Sequence, residues 1–254
     1  TDNDYGMKLQ KRSRVWQAAS NAPRVASNYN VTNQNGIITV KFSQAMVDSV
    51  AQDIEYNIYP SGYMAMTVNT ITENDMPMMP RAGIRMQLNG EYDNVKYYGR
   101  GEYENYPDRK TASFVGVYST TAEEMYTPYI RPQENGHRSD VRYFTLTNDK
   151  GNGIMVTAQE DLIQFNALKN TIEDYEAGDQ GGETGSNDPA KKTINYKHQN
   201  DITPRDLVDC CVDYKMMGVG GNNSWGGWPE PQYLCYPDAQ VESFTYIIAP
   251  VVKK

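Results

Sequence analysis

Hydrophobic and polar positions alternate along this chain in short runs. Ile38, Val40 and Phe42 interleave with Thr39, Lys41 and Ser43, a period of two that predicts a strand with one buried face. Tyr56 to Tyr59, the turn Pro60-Ser61-Gly62 and Tyr63 to Thr72 predict a hairpin with Met64, Met66 and Val68 sharing a face. Comparable runs predict strands at 81–88, 111–119, 140–147, 153–157, 162–168, 206–215 and 241–252, the last with Phe244, Tyr246 and Ile248 aligned. Residues 11–30 are polar around one large anchor, Trp16, and predict no element, while Met76-Pro77-Met78-Met79-Pro80 predicts a packed connection. Thr121-Ala122-Glu123-Glu124 has the form of a capping box, and Thr171 to Tyr175 that of a short capped helix. The sequence shows no internal repeat and no helical pattern beyond about three turns. These elements predict one all-β, antiparallel domain with sheet packed on sheet. A stretch of Gly, Asp, Ser, Asn and Pro at about 178–192 predicts a solvated insertion that interrupts the domain without dividing it.

Composition narrows the function classes. The 254 residues are 39% hydrophobic and 22% charged, enough for a sizeable core, and 20 Tyr stand against 5 Phe. Tyr joins ring area to a polar tip, which suits half-buried sheets and sugar or protein interfaces. The net charge is −8 with Lys and Arg scattered, which argues against nucleic acid as a partner. No apolar run approaches the roughly 18 residues of a membrane span. The chain opens Thr1-Asp2-Asn3-Asp4 without an initiator Met, as an excised piece would, so its compartment is unreadable. Cys210 and Cys211 are adjacent and point to opposite faces of a strand, so the expectation is three free thiols with Cys235, packed as small hydrophobes.

One stretch departs from the strand pattern. Met217-Gly218-Val219-Gly220-Gly221-Asn222-Asn223-Ser224-Trp225-Gly226-Gly227-Trp228-Pro229 is too rich in Gly and Asn for a helix, and follows a predicted strand. It predicts a tight loop with Trp225 near its tip. There the indole either serves as a stacking platform for a ligand's apolar face or folds back to plug the core.

Other chemistry is thin. Asp2-Asn3-Asp4 lacks the Gly and terminal Glu of a calcium loop, so local turn bonding is the expectation. Gly99 to Arg109 crowds carboxylates, Arg and Tyr. It predicts a charge network pinning a long loop in preference to catalytic acids. His137 and His198 lack a Gly-flanked Ser or activated Cys to complete a triad, and zinc, P-loop and dinucleotide signatures do not occur. Glu102, Glu104 and Glu134 could be imagined as a glycosidase pair, but spacing in space is not written in the chain.

Taken together, several of these stretches resemble a known family. Thr1-Asp2-Asn3-Asp4, Gly99-x-Gly101 with Glu104-Asn105-Tyr106-Pro107-Asp108-Arg109, and Tyr126-Thr127-Pro128-Tyr129 are similar to the C-terminal domain of the large β-galactosidases of glycoside hydrolase family 2. So are Pro132-x-Glu134-Asn135-Gly136 with Arg138, and Gly218-Val219-Gly220-Gly221-x-x-Ser224-Trp225, all in the family's order. The resemblance implies an antiparallel β-supersandwich, galactose mutarotase-like, forming the last domain of a longer retaining β-galactosidase. Its partners would be the N-terminal domains of the same enzyme and β-galactoside sugars, and the full enzyme would be a homo-oligomer. The catalytic glutamates and the Mg²⁺ and Na⁺ ions would lie outside this chain, with the glutamates on a TIM-barrel domain, leaving the chain inactive alone and without a cofactor of its own. The resemblance assigns Trp225 to the aglycone-side sugar, with Asn223 and Ser224 shaping its loop as further substrate-binding candidates. Glu104, Asn105, Asp108, Arg109, Glu134 and Arg138 are expected to be scaffold. The 178–192 insertion and Trp228-Pro229-Glu230-Pro231 depart from the pattern and bear on the subsite rim. A stand-alone carbohydrate-binding module is the alternative; an aldose 1-epimerase, which needs a His acid facing a carboxylate base, fits less well.

Overall fold

The structure, a computed structural model, describes residues 2–175, 198–223, 225–237 and 242–253. The insertion anticipated at 178–192 lies outside the described residues. Three short helices come first: α1 (Asp2–Met7), α2 (Leu9–Arg12) and α3 (Arg14–Asn21). Thirteen strands follow among the described residues, β1 (Ala26–Gln34), β2 (Ile37–Val47), β3 (Val50–Ile58), β4 (Met64–Thr72), β5 (Arg81–Asn89), β6 (Asn94–Gly101), β7 (Phe114–Thr121), β8 (Arg138–Val141), β9 (Tyr143–Thr147), β10 (Gly153–Ala158), β11 (Ile163–Leu168), β12 (Leu207–Met216) and β13 (Glu242–Val251). They make two antiparallel layers. The large sheet has the order β1-β2-β3-β4-β13-β10-β9-β6-β7, and the small one β5-β12-β11-β8. The all-β sandwich expected from the period-two runs is what forms.

The expected hairpin closes where the turn residues place it, with Tyr59 N–H donating to the Tyr63 carbonyl at 3.0 Å. Cross-sheet aromatic packing locks the layers. Phe144 of β9 lies parallel to Phe165 of β11 with centroids 4.2 Å apart, and Tyr97 of β6 meets Phe165 edge-on at 5.6 Å. Tyr97, Phe144, Leu146, Val156, Phe165, Val212 and Tyr246 belong to one buried cluster. Removing this apolar area from water, at about 25 cal/mol per Å², is the main stabilising term.

Several expectations need correction, among them the single strand at 140–147, which is β8 and β9 in different sheets. Residues 11–30 do form structure. α3 is held from outside, by Trp16 Nε1 donating to the Pro77 carbonyl at 2.9 Å and Ser13 Oγ donating to that of Met78 at 2.7 Å. β1 gave no alternation because all nine of its residues are exposed, and it is held by backbone pairing to β2. The strand expected from Thr111 begins only at Phe114, after a turn closed by Ser113 N–H on the Lys110 carbonyl at 3.0 Å. The capping-box pair does form, Thr121 N–H to Glu124 Oε2 at 3.2 Å and Glu124 N–H to Thr121 Oγ1 at 3.1 Å, in a turn rather than a helix. Thr171 caps a single 3₁₀ turn, Ile172–Tyr175. All three cysteines are free, and burial pushes the Cys211 thiol up to about 12 and that of Cys235 to about 11.

Candidate functional site

β12 delivers the chain directly into the glycine-rich loop. Met217 N–H donates to the Pro80 carbonyl at 3.0 Å and Gly218 N–H to that of Tyr233 at 2.8 Å, fixing the exit. Asp108 then grips the next two amides. Its Oδ1 accepts from Val219 N–H at 3.1 Å and its Oδ2 from Gly220 N–H at 2.8 Å. Charged acceptors make the stronger class of hydrogen bond, so this carboxylate is a firm anchor for irregular backbone. Gly218 is required by the closeness of that anchor, since a Cβ there would stand 2.5 Å from Asp108 Cγ. Gly220 has φ +63°, and its Cβ would come 2.5 Å from the Gly227 carbonyl oxygen.

The loop closes on itself through Gly221 N–H and the Gly227 carbonyl at 2.8 Å. Within that closure Asn223 Oδ1 accepts the Trp225 N–H at 2.8 Å, a turn bond that uses the side chain locally. Asn223 thus shapes the loop. Ser224 lies outside the described residues.

The two tryptophans of the loop lie in different surroundings. Trp228 packs on the buried cluster of Met7, Leu9 and Met217, with the Arg12 guanidinium 4.9 Å above its ring. Trp225 is 93% exposed at the loop tip. The plug is Trp228, and Trp225 faces outward.

Beneath the loop sits the 99–109 segment, and it is a network. Asn105 is fully buried; its Nδ2 donates to the carbonyls of Arg100 and Tyr103, both at 3.1 Å, and its Oδ1 accepts from Ser139 N–H at 3.0 Å. Glu104 accepts from Arg109 at 2.5 Å, from Gly136 N–H at 3.0 Å and from the Tyr129 hydroxyl. Asp140 holds Arg100 and Lys110. These groups are satisfied within the protein, as a scaffold requires.

His137 is buried and stacks on Tyr106 at 4.9 Å and 12°. Its Nδ1 lies 2.7 Å from the Asn105 carbonyl, so Nδ1 carries the proton. Burial pushes its pKa down to about 3, which leaves the ring neutral near pH 7 and removes it as a general acid. The Arg109 guanidinium lies 4.8 Å over the Tyr106 ring. Tyr106 is thus packed by both imidazole and guanidinium.

Glu134 lies deeper, with Arg81 Nη1 at 3.4 Å; Arg81 also binds Asp213 at 2.5 Å. Burial pushes the Glu134 and Asp213 carboxyls up against the pull of Arg81. Asn3 in α1 accepts the Glu134 N–H at 3.0 Å, so this member of the Asp2-Asn3-Asp4 run makes a long-range contact where local turn bonding was expected. Tyr106, Arg109, Tyr129, Gln133 and Glu134 face residues 219–221 across an open cleft of about 500 Å³, mouth included. The sequence carried Trp225 as a signal, but neither the Asp108 anchor nor this cleft, because both depend on residues more than a hundred positions apart. Among the described residues, no group of three or more His, Cys, Asp or Glu could hold a metal ion, and no helix is long and apolar enough to cross a membrane.

Comparison with known proteins bears on the whole chain. The family model described as "Beta galactosidase small chain" matches residues 1–248. A β-galactosidase of Priestia megaterium is 32% identical over 252 residues, covering 99% of this chain and 22% of that protein. A β-galactosidase of Streptococcus thermophilus is 26% identical over 252 residues, covering 99% and 23%. The chain therefore spans less than a quarter of the length of these relatives. Among solved structures, an aldose epimerase homologue from C. elegans aligns with 89% of this chain and 70% of its own, at a TM-score of 0.40 and 9% identity.

Proposed function

The chain belongs to the β-galactosidase small-chain family, and from that premise we propose that it is the C-terminal domain of a retaining β-galactosidase hydrolysing terminal β-D-galactosides such as lactose. Its contribution is Trp225, presented to the aglycone-side sugar. The observation that carries this is the contrast within one loop: Trp228 is tucked against the core while Trp225 stands 93% exposed on a backbone pinned at its root. The carbon-bearing face of a pyranose is apolar, and covering it with indole stabilises by about 25 cal/mol per Å² removed from water. Aromatic geometry adds about 0.5–1.5 kcal/mol by analogy with aromatic pairs. Asn223 sets the loop's turn, and Asn223 and Ser224 are the further substrate-binding candidates.

Retaining hydrolysis needs two carboxyl groups about 5–5.5 Å apart across the glycosidic bond. Glu104 and Glu134 are committed to Arg109 and Arg81, so the catalytic pair belongs to the remaining domains of the longer enzyme. The Mg²⁺ and Na⁺ ions of the active enzyme belong there too. This domain alone is inactive, and the full enzyme assembles as a homo-oligomer. The epimerase alternative is disfavoured by His137, buried and neutral.

Reconstitution tests the reading. The 254-residue chain, wild type or Trp225→Ala, is mixed with the same enzyme lacking it, and aryl β-galactoside hydrolysis is followed. Activity restored by wild type and reduced with Trp225→Ala is the expected result. Equal restoration by both would remove Trp225 from the active site, and hydrolysis by the domain alone would give it a carboxylate pair of its own. Tight galactoside binding by the isolated domain, read by tryptophan fluorescence, would favour the binding-module alternative.

A further inference from the structure

We propose that the cleft at the root of the Trp225 loop is a second sugar subsite, receiving the saccharide unit beyond the one stacked on Trp225. The proposal rests on the Trp225 reading above. Two buried polar atoms at this cleft have no partner among the described residues, the Tyr106 hydroxyl and Glu134 Oε1. Tyr106 is 0% exposed. Buried polar atoms are normally satisfied, and two orphans lining one cleft mark a place where hydrogen-bonding groups come from outside.

The orphans also restrict what those groups are. His137 stacks on the Tyr106 ring and Arg109 lies over it, so the hydroxyl is the part of Tyr106 left without a partner among the described residues. Glu134 Oε1 can only accept while ionised, whereas a phenol donates and accepts. Arg109 and Gln133 add donors at the same cleft, and Tyr129 a ring. An anion would meet the Glu134 carboxylate, and a cation would meet Arg109. A neutral polyol, whose every hydroxyl both donates and accepts, matches the whole set. The enclosed part of the cleft, about 210 Å³, lies below the roughly 300–1,000 Å³ of drug-sized ligand sites and so suits a small unit.

Position ties the cleft to Trp225. Gly221 lines it, and Trp225 follows four residues later, so the two are separated by at most about 14 Å. The Gly221–Gly227 closure keeps them on one rigid loop. A ligand chain leaving the indole can therefore continue into the cleft.

The test uses the full-length enzyme and two substrates, an aryl β-galactoside and a trisaccharide in which β-galactose is followed by two sugar units. Tyr106→Phe keeps the ring packed against His137 and Arg109 and deletes a hydroxyl that has no partner among the described residues. The expected result is that kcat/KM for the trisaccharide, divided by that for the aryl galactoside, falls about three- to tenfold, the scale of one neutral hydrogen bond. An unchanged ratio overturns the subsite, whether both constants hold steady or fall together as they would if another domain of the enzyme filled the cleft. Trp225→Ala run in parallel separates the two claims. A Trp225→Ala loss with an unchanged Tyr106→Phe ratio rejects the subsite alone, while no Trp225→Ala effect on either substrate rejects both.

Discussion

Asp108 Oδ2 accepts the Gly220 amide proton at 2.8 Å across 112 residues of chain, and its other oxygen takes the preceding amide, Val219 N–H. One carboxylate therefore fixes the direction in which the Trp225 loop leaves the sheet. Asp108→Ala removes a charged acceptor from two amides, at about 1.5–3 kcal/mol per bond. Amide exchange at Val219 and Gly220 should accelerate at least tenfold while the β-sheet signal in circular dichroism is kept. Amide protection equal to wild type would show that the loop holds its shape without Asp108.

Gly218→Ala tests the same anchor from the other side. The new Cβ would stand 2.5 Å from Asp108 Cγ and must displace it. We expect a loss of about 1–3 kcal/mol, the scale of overpacking, and the same exchange pattern as Asp108→Ala. The double variant should cost less than the sum, since both changes break one contact.

Trp225→Ala and Trp228→Ala should separate stability from activity. Trp225 is 93% exposed, so its removal should shift stability by no more than about 0.5 kcal/mol. Trp228 packs on Met7, Leu9 and Met217, and its loss should cost about 2 kcal/mol, below the 3–5 of a fully buried Trp. Urea unfolding of the two variants checks this, and the opposite order would exchange their roles.

Acid should expose His137. Its folded pKa is lowered to about 3 from an ordinary value of 6.5, chiefly by burial. Between those values the unfolded chain binds the proton and the folded one does not, so stability falls as pH drops from 6.5 towards 3. The slope attributable to this ring is about 1.4 kcal/mol per pH unit. Glu134 and Asp213, whose carboxyls are raised, act with the opposite sign, so a variant comparison is needed. His137→Gln retains a donor for the Asn105 carbonyl. Its urea-derived stability should lose that slope between about pH 6 and 4; parallel curves for variant and wild type would contradict a buried neutral ring.

The parts of the fold that bury one face could be read from the chain. Met64, Met66 and Val68 on β4 pair with Ile248, Tyr246 and Phe244 on β13, and both runs show the period of two that this requires. β1 could not be read, because a strand exposed at all nine positions has no face to conserve apolar residues on. Nor could α3, whose Trp16 and Ser13 bonds reach a loop 61 and 65 residues away. In the candidate site, glycine density revealed the loop, but nothing local distinguishes Trp225 from Trp228. Met7 and Leu9, brought in by α1 and α2, cover Trp228 together with Met217 and leave Trp225 exposed. Asp108 and Tyr106 likewise sat in a recognisable charge network, with their reach towards the loop hidden by distance along the chain.

The root of the Trp225 loop is assembled from the beginning, middle and end of the domain: Asn3 on the Glu134 amide, Asp108 on Val219 and Gly220, and Tyr233 on Gly218. The first two of these contacts span more than a hundred residues, so forming them carries a large loop-closure entropy. Presentation of the exposed indole therefore depends on all three regions of the domain being folded at once.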